Sequence, residues 1–523
     1  MDELRPRPGF TGGLGSYRTM TNDLLKRALR ARVTDILPEP TPLDAAPNLS
    51  ARLARPVLLK REDLTPVFSF KLRGAYNRIT ALRADELARG VIAASAGNHA
   101  QGVAFAAKRL GIACRIVMPR TTPVIKVSAV RRLGAEIDLH GDSYSDAADR
   151  CSELAASTGA VEIPPYDDLD VIAGQGTVGL EIIRQARDVA SIFVPVGGGG
   201  LVSGIAAVVK ELHPEVRIIG VQSSGSEAMR RSVETGQRVR LDRVGIFADG
   251  VAVKRVGSIT FDLCRRYVDA FVTVSTDEIC AAIQDAFEDT RTVLEPAGAL
   301  SIAGLKRAHA DGGVPDGPAV AIASGANVPF ARLGYVSERA EVGQCREAIF
   351  VVTIPERPGA FLEFCRTVGD RSVTEFNYRL GSRDHADVFV GIEVTGPDEA
   401  RALCDALRSQ GYPTDDLTQD DLAKTHVRHM VGGRSSTARD EVLYSFEFPE
   451  RPGALLEFLA SLGGCWNISL FHYRNHGSAF GRVLCGLEVP PTERDEFVRT
   501  LDGLGLAYED ETESPAARLL MGG

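Results

Sequence analysis

The last third of the chain is written twice. The segment PERPGAFLEF begins at Pro355 and PERPGALLEF at Pro449, 94 residues later. TEFNYR at Thr374–Arg379 then matches SLFHYR at Ser469–Arg474, and VFVGIEV from Val388 matches VLCGLEV from Val483, both at an offset of 95. One inserted residue accounts for the change of offset. Three blocks in register exclude chance similarity and require two copies of one structural unit. Each copy reads strand, PERPG loop, helix, two strands, helix, strand, the βαββαβ order of a ferredoxin-like module. The copies are expected at residues 348–420 and 441–513, with a linker over 421–440 that contains VGGRSSTAR at Val431–Arg439. Two such modules are expected to pack sheet to sheet.

The preceding 320 or so residues follow a different pattern, in which short apolar runs alternate with amphipathic stretches. Strands are expected at Val91–Ser95, Arg115–Met118, Ala135–Leu139, Ile192–Val196, Arg217–Val221, Phe271–Val274 and Ala319–Ala323. Helices are expected at Thr21–Arg32, His99–Leu110, Pro123–Leu133 and Leu201–Leu212. The alternation predicts an α/β fold, with parallel sheets covered by helices in two halves that leave a cleft between them. A catalytic domain over residues 21–340 follows, after a disordered segment at residues 1–20.

A net charge of −9 argues against nucleic acid or an anionic membrane as the main partner. No apolar run is long enough to span a bilayer, and the first residues lack the apolar stretch of a secretory signal. Nine cysteines lie scattered without metal-finger spacing, as reduced thiols of a cytoplasmic protein would.

Four stretches carry chemistry. In KREDLTPVFSFKLRGA (Lys60–Ala75), Lys71 is flanked by Ser69, Phe70 and Leu72. A desolvated amine titrates below its ordinary range and can attack a carbonyl, which suits Schiff-base chemistry. The alternative is a surface lysine at a helix start. Ser95-Ala96-Gly97-Asn98-His99 joins a strand to a helix, where free N–H groups favour an anion such as a carboxylate. Asn98 could donate to a phenolate-like oxygen, or simply cap the helix, and an early-helix histidine such as His99 is more often structural. Gly197-Gly198-Gly199-Gly200-Leu201 also lies between a strand and a helix. Its unshielded amides suit a phosphate, although it is neither a P-loop nor GxGxxG. In Ala323–Asn327, Ser324 at a strand end could bond a ring nitrogen or serve as a turn residue.

Together these are the parts needed to hold pyridoxal 5'-phosphate. With Glu295–Ala299 added, they resemble the biosynthetic threonine dehydratases, fold type II pyridoxal-phosphate enzymes, and the repeat resembles that family's two C-terminal ACT-like regulatory modules. The resemblance implies that Lys71 joins the cofactor covalently and acts as the base. It implies that Asn98 meets the ring hydroxyl, Gly197–Leu201 the phosphate, and Ser324 the pyridine nitrogen. Ser95, Ala96, Gly97, Asn98 and His99 receive the substrate carboxylate. Glu295 lies near the site without an assigned role. Asp249 matches a cation ligand of some relatives, but a structural role without metal is expected here. The implied reaction is L-threonine to 2-oxobutanoate and ammonia, the first step of isoleucine biosynthesis, with L-serine to pyruvate as a secondary activity. Isoleucine is implied as inhibitor, valine as antagonist and a homotetramer as assembly. Tyr378, Arg379, Tyr473 and Arg474, at equivalent places in the two copies, are candidate effector residues, with Arg428 a third. A serine racemase, a β-replacing synthase and a non-catalytic amino-acid sensor are the alternatives.

Overall fold

The computed structural model describes residues 23–369, 371–449, 454–461, 464–474 and 480–518. The segment expected to be disordered, residues 1–20, lies outside them, as does most of the second PERPG loop. The chain divides into two compact units at residues 340/341.

Among the described residues the first unit contains ten strands: β1 (Leu43–Ala45), β2 (Val57–Arg61), β3 (Val91–Ala94), β4 (Cys114–Met118), β5 (Glu136–Leu139), β6 (Val161–Glu162), β7 (Ser191–Pro195), β8 (Arg217–Ser223), β9 (Ala270–Val274) and β10 (Ala319–Ala323). They form two sheets, a six-stranded one ordered β1-β2-β10-β7-β8-β9 and a four-stranded one ordered β5-β4-β3-β6. Every pairing is parallel except β1 with β2. Parallel strands covered by helices on both faces need apolar side chains on both, and β7 and β10 are buried at every residue. Apolar clusters lie on either side of the larger sheet. β3, β7 and β10 each run directly into one of the three turns singled out above. The turns therefore lie at the carboxyl ends of parallel strands, where ligands bind in open α/β folds.

The described residues of the second unit form one antiparallel sheet of eight strands with helices against it: β11 (Glu347–Pro355), β12 (Val373–Arg379), β13 (His385–Glu393), β14 (Thr414–Asp416), β15 (Glu441–Pro449), β16 (Asn467–Arg474), β17 (Phe480–Glu488) and β18 (Ala507–Asp510). Their order is β14-β11-β13-β12-β16-β17-β15-β18. Each copy has the expected βαββαβ order, but the copies do not pack sheet to sheet. They join edge to edge, β12 pairing antiparallel with β16 so that Phe376 faces Tyr473 and Tyr378 faces Phe471. Phe376 and Phe471 meet edge-on with centroids 5.3 Å apart, and the apolar core on the helix side runs unbroken through both copies. Edge pairing satisfies two rows of backbone groups that two separate sheets would leave open.

Candidate active site

Lys71 is the first residue of the helix Lys71–Thr80. The chain before it is strapped to the end of β10: the Phe70 N–H donates to Ser324 O at 3.2 Å and the Ala326 N–H to Phe68 O at 2.9 Å. Gly102 lets the helix Asn98–Leu110 approach this turn, since a Cβ there would sit 3.0 Å from the Lys71 carbonyl carbon. The Lys71 amine donates to the Pro165 carbonyl at 2.9 Å. Burial lowers its pKa to about 8, against the opposing pull of the Glu295 charge. An appreciable fraction is therefore a neutral nucleophile near neutral pH. Lys71 stands at a helix start, but not on the surface.

Two residues along the same helix, Arg73 is fully buried and locked to Glu62 and Glu181, with Nε–Oε2 at 2.8 Å and Nη1–Oε1 at 2.6 Å. Lys60, also fully buried, meets Glu181 at 2.6 Å. Two cations and two carboxylates thus fix the first turn of the lysine-bearing helix.

The turn after β3 places Ser95, Ala96 and Gly97, all part-exposed, ahead of Asn98. Gly97 is the residue preceding the helix, so Asn98 is not its cap. A Cβ on Gly97 would meet nothing within 4 Å, which leaves the turn open for a ligand. His99 turns inward: it is buried, and its Nε2 lies 2.8 Å from the Ile163 carbonyl. Burial, helped by the nearby Lys71 charge, lowers its pKa to about 3, which leaves a neutral imidazole.

The glycine loop ends β7 and opens the helix Gly200–Leu212. Among the described residues no group accepts from the N–H groups of Gly197 to Leu201, so a row of donors stands free at a helix N-terminus. Glycine is required here sterically. A Cβ on Gly198 would sit 2.3 Å from the Tyr166 ring, and Gly199 adopts φ 99°. Thr260 holds the loop by donating to Gly198 O at 2.7 Å.

Ser324, buried at the end of β10, donates to the Ala297 carbonyl at 3.2 Å. Glu295 is buried beside it. Desolvation raises its carboxyl pKa to about 7, against a hydrogen bond from Asn98. Asp249 pairs with Lys126 at 2.5 Å and with Arg332 at 3.7 Å.

Lys71, Asn98, Gly197–Leu201 and Ser324 all line one cavity, together with Phe70, Tyr166 and Glu295. His99 does not. The group implied by the sequence fits these walls: an amine for the aldehyde, free N–H donors for the phosphate, and polar groups for the ring. Sequence reading missed Tyr166 and Pro165, which no periodicity or motif marks, and gave no role to Asn327, although it ends the Ala323–Asn327 turn. The contacts of all three cross the fold.

In the second unit the candidate effector residues separate by face, because neighbours in a strand point to opposite sides. Tyr378 and Tyr473 are buried on the helix side. There the Tyr378 hydroxyl donates to Glu356 and its ring stands edge-on to Phe361 at 4.8 Å. Arg379, on the other face, donates to Glu441 at 3.1 Å and to Gly433 O at 2.7 Å, tying β12 to the second copy and to the linker. Arg428 is buried and pairs with Glu375 at 2.8 Å. Arg474 lies opposite Glu375 in the register, with Nη1 3.2 Å from His429 Nδ1.

Comparison with characterised families agrees with this division. The family described as pyridoxal-phosphate dependent enzyme matches residues 35–325. The C-terminal regulatory domain of threonine dehydratase matches twice, at 338–427 and 432–521. The biosynthetic L-threonine dehydratase of Burkholderia multivorans is 54% identical over 505 residues, 96% of this chain and 99% of that protein. Among solved structures, the processed threonine deaminase isoform 2 of Solanum lycopersicum is 44% identical with a TM-score of 0.61, over 65% of this chain and 92% of that one. Maize serine racemase is 31% identical with a TM-score of 0.56, over 60% of this chain and 95% of that one.

Proposed function

The chain belongs to the biosynthetic threonine dehydratases, pyridoxal-phosphate-dependent lyases, and on that premise we propose that it converts L-threonine to 2-oxobutanoate and ammonia, and L-serine more slowly to pyruvate. One observation carries the reading most directly. The Lys71 amine, with its pKa lowered to about 8, shares a cavity with the unused N–H groups of the glycine loop.

Lys71 would hold the cofactor through its aldehyde and, once the substrate amine takes that place, would accept the Cα proton at Nζ, whose pKa of about 8 leaves part of the amine neutral near neutral pH. The Pro165 carbonyl, 2.9 Å from Nζ, accepts from the resulting ammonium. Gly197 to Leu201 would bind the phosphate through their N–H groups. Asn98 would orient the ring through its hydroxyl, and Ser95 to Asn98 would receive the substrate carboxylate. The Ser324 hydroxyl would meet the ring nitrogen as a neutral group, stabilising a cationic ring less than a carboxylate would. A neutral partner there would suit an elimination, in which the β-hydroxyl leaves as water, better than chemistry that needs a lasting negative charge at Cα. When bound, pyridoxal phosphate supplies the electron sink for the charge left by the departing proton. The amino-acid product leaves as an enamine, whose imine tautomer hydrolyses to the oxo acid and ammonia.

The second unit is the regulatory part, acting on the first step of isoleucine biosynthesis in a cytoplasmic homotetramer, with isoleucine as inhibitor and valine as antagonist. An apolar hollow lined by Phe361, Leu362, Trp466, Ile468 and Leu487, with Arg357 at its edge, supports a branched aliphatic effector. Among the described residues no helix is long and apolar enough to cross a membrane. Oxo-acid release from L-threonine, with and without isoleucine, tests the whole reading. D-Serine formation without oxo-acid release would favour a racemase instead, and a colourless protein unchanged by pyridoxal phosphate would favour a sensor.

A further inference from the structure

Asn98 is the group expected to face the cofactor ring, yet an asparagine can present either its oxygen or its NH2 to a ligand. The surroundings remove that choice in three steps. The Val67 carbonyl can only accept, and Asn327 Nδ2 donates to it at 2.9 Å. Asn327 therefore also turns its NH2 toward Asn98, whose Oδ1 accepts at 2.8 Å. The Asn98 NH2 is thereby directed the other way, where it donates to Glu295 Oε1 at 2.5 Å. An amide NH2 has two hydrogens and Glu295 takes one, so the second remains for the cavity that Asn98 lines.

We propose that Asn327 and Glu295 are positioning residues that fix the Asn98 carboxamide with one N–H aimed at the cofactor's ring oxygen, and that Glu295 is the titratable end of this relay. The inference deepens the cofactor-site reading and rests on it. Glu295 is suited to the role by its place. It is buried just before the helix Pro296–Ala310, its backbone N–H donates to Gly325 O at 3.1 Å, and the Asn327 backbone N–H also serves its carboxyl. The charged groups facing it are Asp249, which favours its protonated form, Lys126, which favours the ionised form, and Lys71 across the cavity. Ionised, Glu295 polarises the Asn98 N–H less toward the ring and places a negative charge beside the cofactor. Protonated, it still accepts from Asn98 but carries no charge. The same relay thus presents two electrostatic environments to one ring.

The test uses the full-length protein. Cofactor-free protein is titrated with pyridoxal phosphate, and the absorption of the loaded, substrate-free enzyme is followed from pH 5 to 9. The wild type is expected to show a spectral transition near neutral pH. Glu295→Gln keeps an acceptor for Asn98 and removes the charge. It is expected to lose that transition while its cofactor Kd rises less than about threefold. Asn327→Asp puts an acceptor against both the Val67 carbonyl and Asn98 Oδ1, turns the carboxamide, and is expected to raise the Kd at least tenfold. Far-UV circular dichroism confirms folding, and Asn327→Ala replaces Asn327→Asp if the aspartate variant does not fold. A Glu295→Gln enzyme that keeps the wild-type transition, or an Asn327 variant that binds cofactor like the wild type, overturns the relay alone. A wild type that binds no pyridoxal phosphate overturns the site reading and the relay together.

Discussion

A lysine that is to attack an aldehyde must be neutral when it does so, and the packing around Lys71 favours that form. Burial brings its pKa to about 8. Capture of pyridoxal phosphate by the cofactor-free protein should therefore accelerate as pH rises toward about 8 and level off above it, rather than climbing to the ordinary lysine range. Stopped-flow absorbance at a series of pH values reads this directly, and a profile still rising at pH 10 would contradict it. Lys71→Ala should fold and lose turnover by several orders of magnitude, since it removes both the covalent partner and the base. Arg73 acts on stability. Arg73→Leu would leave Glu62 and Glu181 facing Lys60 alone, and should cost about 3–5 kcal/mol in denaturant unfolding. His99 shows in pH dependence. Its folded pKa of about 3 lies below the unfolded value near 6.5, so between those values the unfolded chain binds more protons. Its contribution is fully present above pH 6.5 and is lost as pH falls, by at most about 1.4 kcal/mol per unit. Glu295, raised to about 7, acts in the opposite sense between about 4.5 and 7. The two slopes therefore separate only when stability against pH is compared between the wild type and His99→Gln.

At the scale of elements, the proposed binding falls on the strand-to-helix turns, and the glycine loop is sterically restricted among them. Gly198→Val would drive its side chain into the Tyr166 ring, 2.3 Å from the Cβ position, and push the loop out of place. Its affinity for pyridoxal phosphate should fall at least tenfold in a cofactor titration, whereas an unchanged affinity would mean that the phosphate sits elsewhere. The elements that bear these turns were legible in the sequence because β3, β7 and β10 are buried on both faces and so read as unbroken apolar runs. β2 was not, because Lys60 and Arg61 are part of it, and they are buried against carboxylates, Lys60 on Glu181 and Arg61 on Asp63 and Asp44. β6 has two residues, too short for any period to register. That Lys71 and the glycine loop share one cavity was legible because both motifs stand out by residue type. Tyr166 closing over the loop and Asn327 orienting Asn98 were not, since nothing local to either residue records a contact made across the fold.

At the scale of the whole molecule, the chain carries a second unit, while the described residues that line the cavity around Lys71 belong to the first. A duplicated module joined into one eight-stranded sheet places equivalent groups on either side of the β12–β16 seam. Arg379 crosses that seam to Glu441 from one side, and Asn467 donates to Glu356 at 2.8 Å from the other. A ligand that changes how the two copies meet has a two-position element to bias, and inhibition requires isoleucine to favour the inactive arrangement. Coupling of this kind is typically about 1–3 kcal/mol, or roughly 5–150-fold in affinity. Tyr378→Phe removes the hydroxyl that donates to Glu356 beside the seam. It should shift the isoleucine concentration for half-inhibition several-fold while leaving the uninhibited rate on threonine unchanged. Ending the chain after Ala340, where the two units divide, should leave a lyase that binds pyridoxal phosphate and no longer responds to isoleucine. Oxo-acid release by that fragment, with isoleucine titrated against it, decides the matter. Full inhibition of an active fragment would place the effector in the catalytic unit and leave the eight-stranded sheet with a different task.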